Sequence, residues 1–207
     1  MKITSSIRQR GVVLFITLIA LVAMSLAAVA LVRSVDTGTI VAGNLSFKQG
    51  TLLSADAGIE VARTWLLANK ASLSADQVAD GYYASRQAAL DITGNATTAV
   101  NDDVNWDGTN ASALTTPKTV LFGSVDKDST GNKVSYVIHR LCEIVGSINA
   151  PAQSCATSTT TDSGSTKDAP RYDQYGLTEK QTVYYRVTVR VAGPRNTQTF
   201  VQSFLLF

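Results

Sequence analysis

The sequence predicts an α+β protein in which one long N-terminal helix packs on a small antiparallel β-sheet. The helix is predicted by an unbroken apolar run at residues 12–32, followed by apolar positions that recur every seven residues. The sheet is predicted by runs near the C-terminus that are rich in β-branched and aromatic residues or alternate between apolar and polar ones. Helix and strands that are segregated along the chain are typical of α+β folds.

The apolar run is long enough to cross a membrane. It covers 21 residues from Val12 to Val32, of which only Thr17 and Ser25 are not apolar, and as a helix it spans about 31 Å. Basic residues and no acidic ones precede it, which predicts a cytoplasmic N-terminus, one membrane-spanning helix and the rest of the chain on the far side of the membrane. A cleaved secretory signal fits less well, because the run exceeds the usual length of a signal's apolar region.

Composition excludes several classes of protein. The chain has 207 residues, of which 16% are charged, and a formal net charge of +2. Residues 1–11 carry three basic residues and no acid, so the remainder has 15 basic and 16 acidic residues. That balance offers no cationic excess to a phosphate backbone, and nucleic acid is therefore not expected as a partner. The single apolar run also excludes a multispanning protein.

Beyond the apolar run, the helix is predicted to continue as an amphipathic helix over residues 33–70. Four apolar residues recur at intervals of seven, namely Leu45, Leu52, Ile59 and Leu66. This spacing places them along one face of a helix, and we expect that face to pack on the sheet. A coiled-coil seam is the alternative interpretation of the same stripe.

The strands are predicted most clearly in the last third of the chain. Residues 134–144 are rich in β-branched and aromatic side chains, and residues 182–191 alternate, with apolar residues on one face. A turn at residues 193–196 leads into a return strand at residues 198–207, so that an antiparallel hairpin is expected. Residues 155–170 are rich in serine and threonine and are predicted to form an exposed loop.

The sequence contains two cysteines, Cys142 and Cys155. In a domain carried across a membrane, one such pair predicts a disulfide, which would stabilise the fold by about 3 kcal/mol for a loop of this size. Metal binding is the weaker interpretation, because the two thiols and the only histidine, His139, make three possible ligands and no CxxC spacing occurs.

Two acidic turns are weak candidates for calcium binding. The stretch that begins at Asp126 places oxygen donors at its first, third and fifth positions, Asp128 being the third, and a glycine at its sixth. Its twelfth position holds Val137 and not the bidentate glutamate of a complete calcium loop, so a polar turn is favoured. A second acidic cluster at residues 102–107 is also interpreted as a turn.

Catalytic motifs do not occur in the sequence. It contains no GxSxG, HExxH or P-loop pattern, and its lone histidine, His139, lies in a predicted strand without an adjacent nucleophile. We therefore expect no enzymatic activity and no cofactor.

The N-terminus resembles that of type IV prepilins. The leader MKITSSIRQRG is short and basic and ends in glycine, and the apolar run VVLFITLIALVAMSLAAVALV follows at once. In that family a prepilin peptidase cuts after this glycine on the cytoplasmic side, and the new N-terminus is then methylated. The resemblance implies cleavage between Gly11 and Val12, with the apolar helix kept as a membrane anchor and later as part of a filament core.

Further features resemble the minor subunits of such filaments. Major pilins usually begin with phenylalanine and carry glutamate at the fifth position, whereas Val12 and Ile16 stand at these places here. The stretch LLSADAGIEVARTWL at residues 52–66 and the closing hairpin at residues 184–207 resemble PilX-type minor pilins. The implied organisation is a leader at 1–11, a membrane and filament-core helix at 12–32, its amphipathic continuation at 33–70, and a head at 71–207.

The resemblance implies a structural function. The chain would be incorporated at or near the tip of a type IV pilus and help to initiate assembly in support of adhesion or twitching motility. The expected partners are prepilin peptidase, other minor pilins, the major pilin and a large tip adhesin. The expected location is the inner membrane before assembly and the extracellular pilus afterwards. The alternatives are a minor pseudopilin of a type II secretion system and a membrane-anchored periplasmic binding domain.

Overall fold

A single helix forms the N-terminal part of the protein, and strands follow it. The computed structural model describes residues 12–95, 98–161 and 179–207. Helix α1 extends from Val12 to Ala68, which confirms the predicted long helix. The chain divides into two compact units, Met1–Ser46 and Phe47–Phe207. We refer to the second as the packed unit, and it includes the last part of α1.

Among the described residues, six strands form the sheet of the packed unit. They are β1 (Tyr82–Tyr83), β2 (Lys118–Thr119), β3 (Lys133–Arg140), β4 (Thr157–Thr161), β5 (Glu179–Ala192) and β6 (Gln198–Leu206). Strand β5 pairs antiparallel with β3 and, on its other side, with β6. The three predicted strands and the turn at residues 193–196 are therefore confirmed, the turn containing the single helical turn Pro194–Asn196.

The prediction of a purely antiparallel sheet is wrong. Strand β1 pairs parallel with β3, Tyr82 lying opposite Ile138, so the sheet is mixed. The parallel pairing is possible because about 50 residues separate β1 from β3, far more than the dozen or so that a crossover needs. The predicted loop at residues 155–170 is also corrected in part. Thr157–Thr161 forms β4, as its β-branched side chains favour, and residues 162–170 of that loop lie outside the described residues.

The core lies between α1 and one face of the sheet. Alternate residues of β3 and β5 point into it, and they are mostly fully buried valines: Val134, Val187, Val189 and Val191. Aromatic rings close one end, where Trp65 of α1 lies 5.3 Å from Tyr82 and Tyr185 packs edge-on against Phe207. The helix and sheet therefore bury a common apolar layer, as an α+β fold requires.

The face of α1 that packs on the sheet differs from the predicted stripe. Leu66 is fully buried and Ile59 packs against the core, but Leu45 and Leu52 are exposed. The buried residues of α1 are instead mostly small: Thr51, Ser54, Ala55, Gly58, Ala62 and Leu66. The reason is the close approach of the helix to the sheet. A Cβ atom on Gly58 would lie 2.8 Å from the Cγ1 atoms of both Val134 and Val189.

Candidate functional site

The first candidate site is the surface of α1 at residues 12–32, which we call the apolar segment. All 21 of its side chains are exposed, including large ones such as Leu14 and Met24, which are 75% and 74% exposed. Exposed apolar surface of this extent is typical of a membrane or protein interface. Among the described residues, α1 is the one helix that is long and apolar enough to cross a membrane.

The two hydroxyl groups of the apolar segment are satisfied within the helix. Thr17 Oγ1 donates to the carbonyl of Leu14 over 2.9 Å, and Ser25 Oγ donates to that of Val22 over 2.8 Å. The helical backbone satisfies its own amide and carbonyl groups in the interior of the segment. Neither polar side chain therefore needs water, which is the condition for placing such a helix in lipid or among other apolar helices.

The predicted processing site lies at the start of this helix. Val12 is the first residue of α1, while Gly11 and the rest of the leader lie outside the described residues. At the other end, the first charged residues after the apolar segment are Arg33 and Asp36, both exposed. The uncharged stretch is thereby bounded by the basic leader and by Arg33, as the predicted membrane anchor requires.

The second candidate site is the disulfide loop of the packed unit. Cys142 and Cys155 are bonded, which confirms the predicted disulfide. The loop between them is tied together by its backbone, since Glu143 N–H donates to Ser154 O over 2.8 Å. Arg140 holds it to the rest of the unit. Its buried guanidinium donates to the carbonyl of Gly146 over 2.6 Å and, through Nε, to that of Ala84 over 3.0 Å.

The two weak calcium candidates are engaged by the protein itself. Asp128 accepts hydrogen bonds from Ser54 Oγ at 2.6 Å and from the backbone N–H groups of Thr130 and Asn132. Burial raises the pKa of the Asp128 carboxyl, but these hydrogen bonds outweigh it and hold that pKa well below its usual range. Asp126 pairs with Lys133 at 3.5 Å. Asp128 therefore ties its turn to α1 through Ser54.

The second acidic cluster also makes contacts within the fold, and Asp103 and Asp107 line the same cavity. Asp107 forms an ion pair of 2.6 Å with the buried Arg190, and Asp103 lines a polar cavity of about 300 Å³ together with Trp106 and Phe200. Across the three described ranges, no three histidine, cysteine, aspartate or glutamate residues are placed to hold a metal ion together.

His139 is fully buried on the face of the sheet that α1 does not cover. Its ring stacks on Tyr83 at 5.5 Å, and its Nε2 lies 2.9 Å from Gln87 Oε1. Burial, reinforced by the nearby charge of Arg186, lowers the pKa of His139 to about 3. Because the Gln87 carbonyl oxygen can only accept, the neutral ring donates from Nε2. This histidine therefore remains uncharged and packs as part of the fold.

The sequence indicated the apolar segment and the disulfide, but it did not indicate the small-residue face of α1 or the contact between Ser54 and Asp128. A glycine at position 58 of a predicted helix does not by itself indicate that the helix approaches the sheet closely there. Comparisons of the chain with protein-family models, with curated proteins and with solved structures gave no match.

Proposed function

We propose that the chain is a minor subunit of a type IV pilus, processed after Gly11 and incorporated at or near the filament tip. The observation that carries the proposal is the apolar segment. It begins directly after a short basic leader ending in glycine, and its whole surface is exposed and uncharged. Such a surface suits two successive environments, lipid before assembly and the apolar interior of a helical filament afterwards.

The packed unit supports the proposal by its architecture. One helix serves both units, because α1 continues from the apolar segment into the core of the packed unit without an interruption. Association would then rest on helix contacts of the apolar segment, and the choice of partners on the surface of the packed unit.

The identity of the subunit as a minor one rests on Val12 and Ile16. If cleavage follows Gly11, Ile16 is the fifth residue of the mature chain, where major pilins have glutamate. A buried carboxylate in an apolar filament needs a partner, because an unpaired charge there is costly. The chain therefore lacks the group that would pair with a neighbouring N-terminus in every repeat, which suits a subunit present in few copies.

Mass spectrometry of the mature N-terminus tests the processing step. We would express the full chain with and without a prepilin peptidase and compare Gly11→Leu with the matched leader variant Gln9→Leu. The proposal expects a chain that begins with methylated Val12 in the wild type and in Gln9→Leu. The Gly11→Leu variant should keep Met1 and the whole leader.

Two outcomes contradict the proposal. An intact Met1 in the presence of active peptidase would make α1 an uncleaved anchor, as in a membrane-anchored binding domain. A cut beyond Val32 would make the apolar segment a secretory signal. Either result excludes incorporation through this helix.

Immunogold labelling and deletion test the assembly step. Labelling of the chain should mark the ends of surface pili. Deletion of the chain should lower the number of pili and leave the processing of the major subunit unchanged. If the chain instead co-purifies with a secretion apparatus and deletion blocks export of a secreted protein, it is a minor pseudopilin.

A further inference from the structure

The polar cavity of the packed unit lies on the face of the sheet that α1 does not cover. Alternate residues of β5 point into the core, so Arg190 points to the opposite face, beside its register partner Phe200 of β6. Residues between positions 93 and 110 supply most of the remaining lining. The volume of about 300 Å³ is at the lower end of the range for ligand pockets, which suits a small ligand.

The walls of the cavity are fixed by contacts within the packed unit. Asp107 pairs with Arg190 at 2.6 Å, and the Arg190 side chain is only 9% exposed. Trp106 Nε1 donates to the carbonyl of Ile92 over 2.7 Å, and the Trp106 ring lies 5.7 Å from that of Phe200 at an interplanar angle of 67°. These contacts hold a cation and two aromatic rings in place, so a ligand would need to order little of the wall on binding.

Two residues of the lining have buried polar atoms that the protein does not satisfy. Arg190 Nε and Asp103 Oδ1 are buried and form no hydrogen bond with any described residue. Gly94 also lines the cavity, and a Cβ atom there would meet Asp103 Oδ1 at 3.4 Å, so this oxygen lies against a part of the wall that has no side chain. Because buried polar groups are normally hydrogen-bonded, both atoms call for a partner from outside the chain.

The two unsatisfied atoms have opposite requirements. Arg190 Nε can only donate, and the carboxylate oxygen of Asp103 can only accept, whereas a hydroxyl group both accepts and donates. An ammonium group has no acceptor for Arg190. A carboxylate or phosphate has no donor for Asp103 and would repeat the charge of Asp103 and Asp107. A metal ion does not fit either, since no three described histidine, cysteine, aspartate or glutamate residues are placed to hold one.

The aromatic rings select among the neutral ligands. A pyranose sugar carries hydroxyl groups around its rim and C–H bonds on its faces, and the hydrogens of those bonds are attracted to the negative face of an aromatic ring. A peptide group also carries one donor and one acceptor, but it has no such C–H face to place against Trp106 and Phe200. The lining therefore complements a sugar better than it complements a peptide.

We propose that this cavity binds one neutral pyranose unit, either as a free sugar or at the end of a glycan. Sugar hydroxyl groups accept from Arg190 Nε and donate to Asp103 Oδ1, and one face of the sugar packs against the aromatic pair of Trp106 and Phe200. This inference goes beyond the role of the chain as a pilus subunit and does not depend on it, because every residue that it uses belongs to the packed unit.

Titration of the full chain with simple sugars tests the inference. The chain is held in a bilayer disc, which avoids detergents with sugar headgroups, and the two tryptophan indole N–H signals are followed by NMR. The probes are glucose, mannose and galactose, which differ at the 2- and 4-hydroxyl groups, together with their methyl glycosides. We expect at least one probe to shift the Trp106 signal saturably, with a Kd on the order of 1 mM for so small a ligand, and to leave that of Trp65 unchanged. Binding of a methyl glycoside shows that a glycan end fits, and binding of the free sugar alone restricts the ligand to free sugars.

Two matched pairs of variants locate the binding. Asp103→Ala removes the unsatisfied acceptor and should weaken binding at least about tenfold, whereas Asn101→Ala changes an exposed residue outside the lining and should have no effect. Phe200→Leu removes one aromatic ring and should weaken binding at least about threefold. Phe204→Leu makes the same change on the same strand at a position that is 59% exposed and does not line the cavity, so it should bind as the wild type does.

Three results would overturn the inference. If no sugar shifts the Trp106 signal up to about 50 mM, the cavity takes up water only. If glucosamine, glucuronate or the peptide probe N-acetylglycine methylamide shifts that signal and the neutral sugars do not, the ligand belongs to another chemical class. If a sugar binds Asp103→Ala and Phe200→Leu as tightly as the wild type, it binds elsewhere. None of these results bears on processing at Gly11, so the pilus proposal stands or fails separately.

Discussion

The two parts of α1 carry opposite kinds of side chain and have opposite surroundings. Residues 12–32 carry mostly large apolar side chains, and every one of them is exposed. Between residues 51 and 66 the buried side chains are mostly small, and two of them, Thr51 and Ser54, are polar. Within one helix, burial therefore follows fit to a neighbouring surface and not hydropathy.

The physical reason is the presence or absence of a facing surface. The sheet already supplies valine side chains along β3 and β5, so a helix can approach it closely only where its own side chains are small. In the apolar segment, by contrast, every side chain is exposed among the described residues. Its large side chains are suited to a surface supplied from outside, either lipid or other helices.

The largest effect is expected at Gly58, which allows the close approach. In Gly58→Leu the first added carbon alone would lie 2.8 Å from Val134 and Val189, so the packed unit should lose at least about 3 kcal/mol of unfolding free energy. The measurement is urea unfolding of the full chain in detergent, followed by the fluorescence of Trp65 and Trp106. Gly50→Leu is the control, because a Cβ there meets no atom within 4 Å. It should stabilise the helix by up to about 1 kcal/mol. Equal effects of the two substitutions would disprove the close-approach explanation.

Removal of the disulfide should be the next largest effect. Replacing both Cys142 and Cys155 with alanine removes a bond that closes a loop of moderate size, and the packed unit should lose about 3 kcal/mol. The apolar segment should be unaffected and remain helical in detergent, as far-ultraviolet circular dichroism can show. Reduction of the wild-type protein should reproduce the loss. If the unfolding midpoint of the reduced protein is unchanged, the loop is held by Arg140 and its backbone bonds alone.

The sequence predicted where helices and strands occur better than it predicted which of their faces are buried. The apolar segment, β3, β5 and β6 could be predicted because each depends on a local periodic pattern. The packing face of α1 could not, because the space left for Gly58 is set by valines about 80 and 130 residues further along the chain. Parallel pairing of β1 was also beyond local patterns, since a two-residue strand has no periodicity.

The same distinction applies to the candidate sites. The disulfide could be predicted from cysteine content and the expected compartment. The role of Asp128 could not, because its turn resembles part of a calcium loop until Ser54, 74 residues earlier in the chain, is seen to donate to its carboxylate. The local sequence therefore indicated which residues have reactive or metal-binding side chains, and tertiary contacts determine which interactions those side chains make.

A pH-dependent loss of stability is expected from His139, the only histidine in the chain. Its folded-state pKa of about 3 is below the unfolded value of about 6.5, so the unfolded chain takes up the proton first as the pH falls. The full stability is therefore present above pH 6.5 and declines below it, by up to about 1.4 kcal/mol per pH unit. Urea unfolding at a series of pH values between 7.5 and 4.5 measures this slope.

His139→Phe provides the matched variant for this titration. A phenylalanine keeps a ring against Tyr83 but cannot take up a proton, so its stability should vary little over the same pH range. The variant lacks the hydrogen bond to Gln87, so its unfolding free energy at each pH is compared with its own value at pH 7.5. A wild-type slope that persists unchanged in His139→Phe would assign the pH dependence to other groups.

The smallest effect is expected at Leu52, and it bears most directly on the contrast within α1. Leu52 is 45% exposed, so Leu52→Ala should change the unfolding free energy of the packed unit by less than about 0.5 kcal/mol. Leu66→Ala makes the same chemical change at a fully buried position of the same helix and should cost about 2 to 5 kcal/mol. A large loss at Leu52 would show that the heptad stripe packs after all. A small loss at Leu52 beside a large one at Leu66 would show that the Leu52 side chain does not contribute to the stability of the fold. Its exposed surface would then be available for contacts outside the chain.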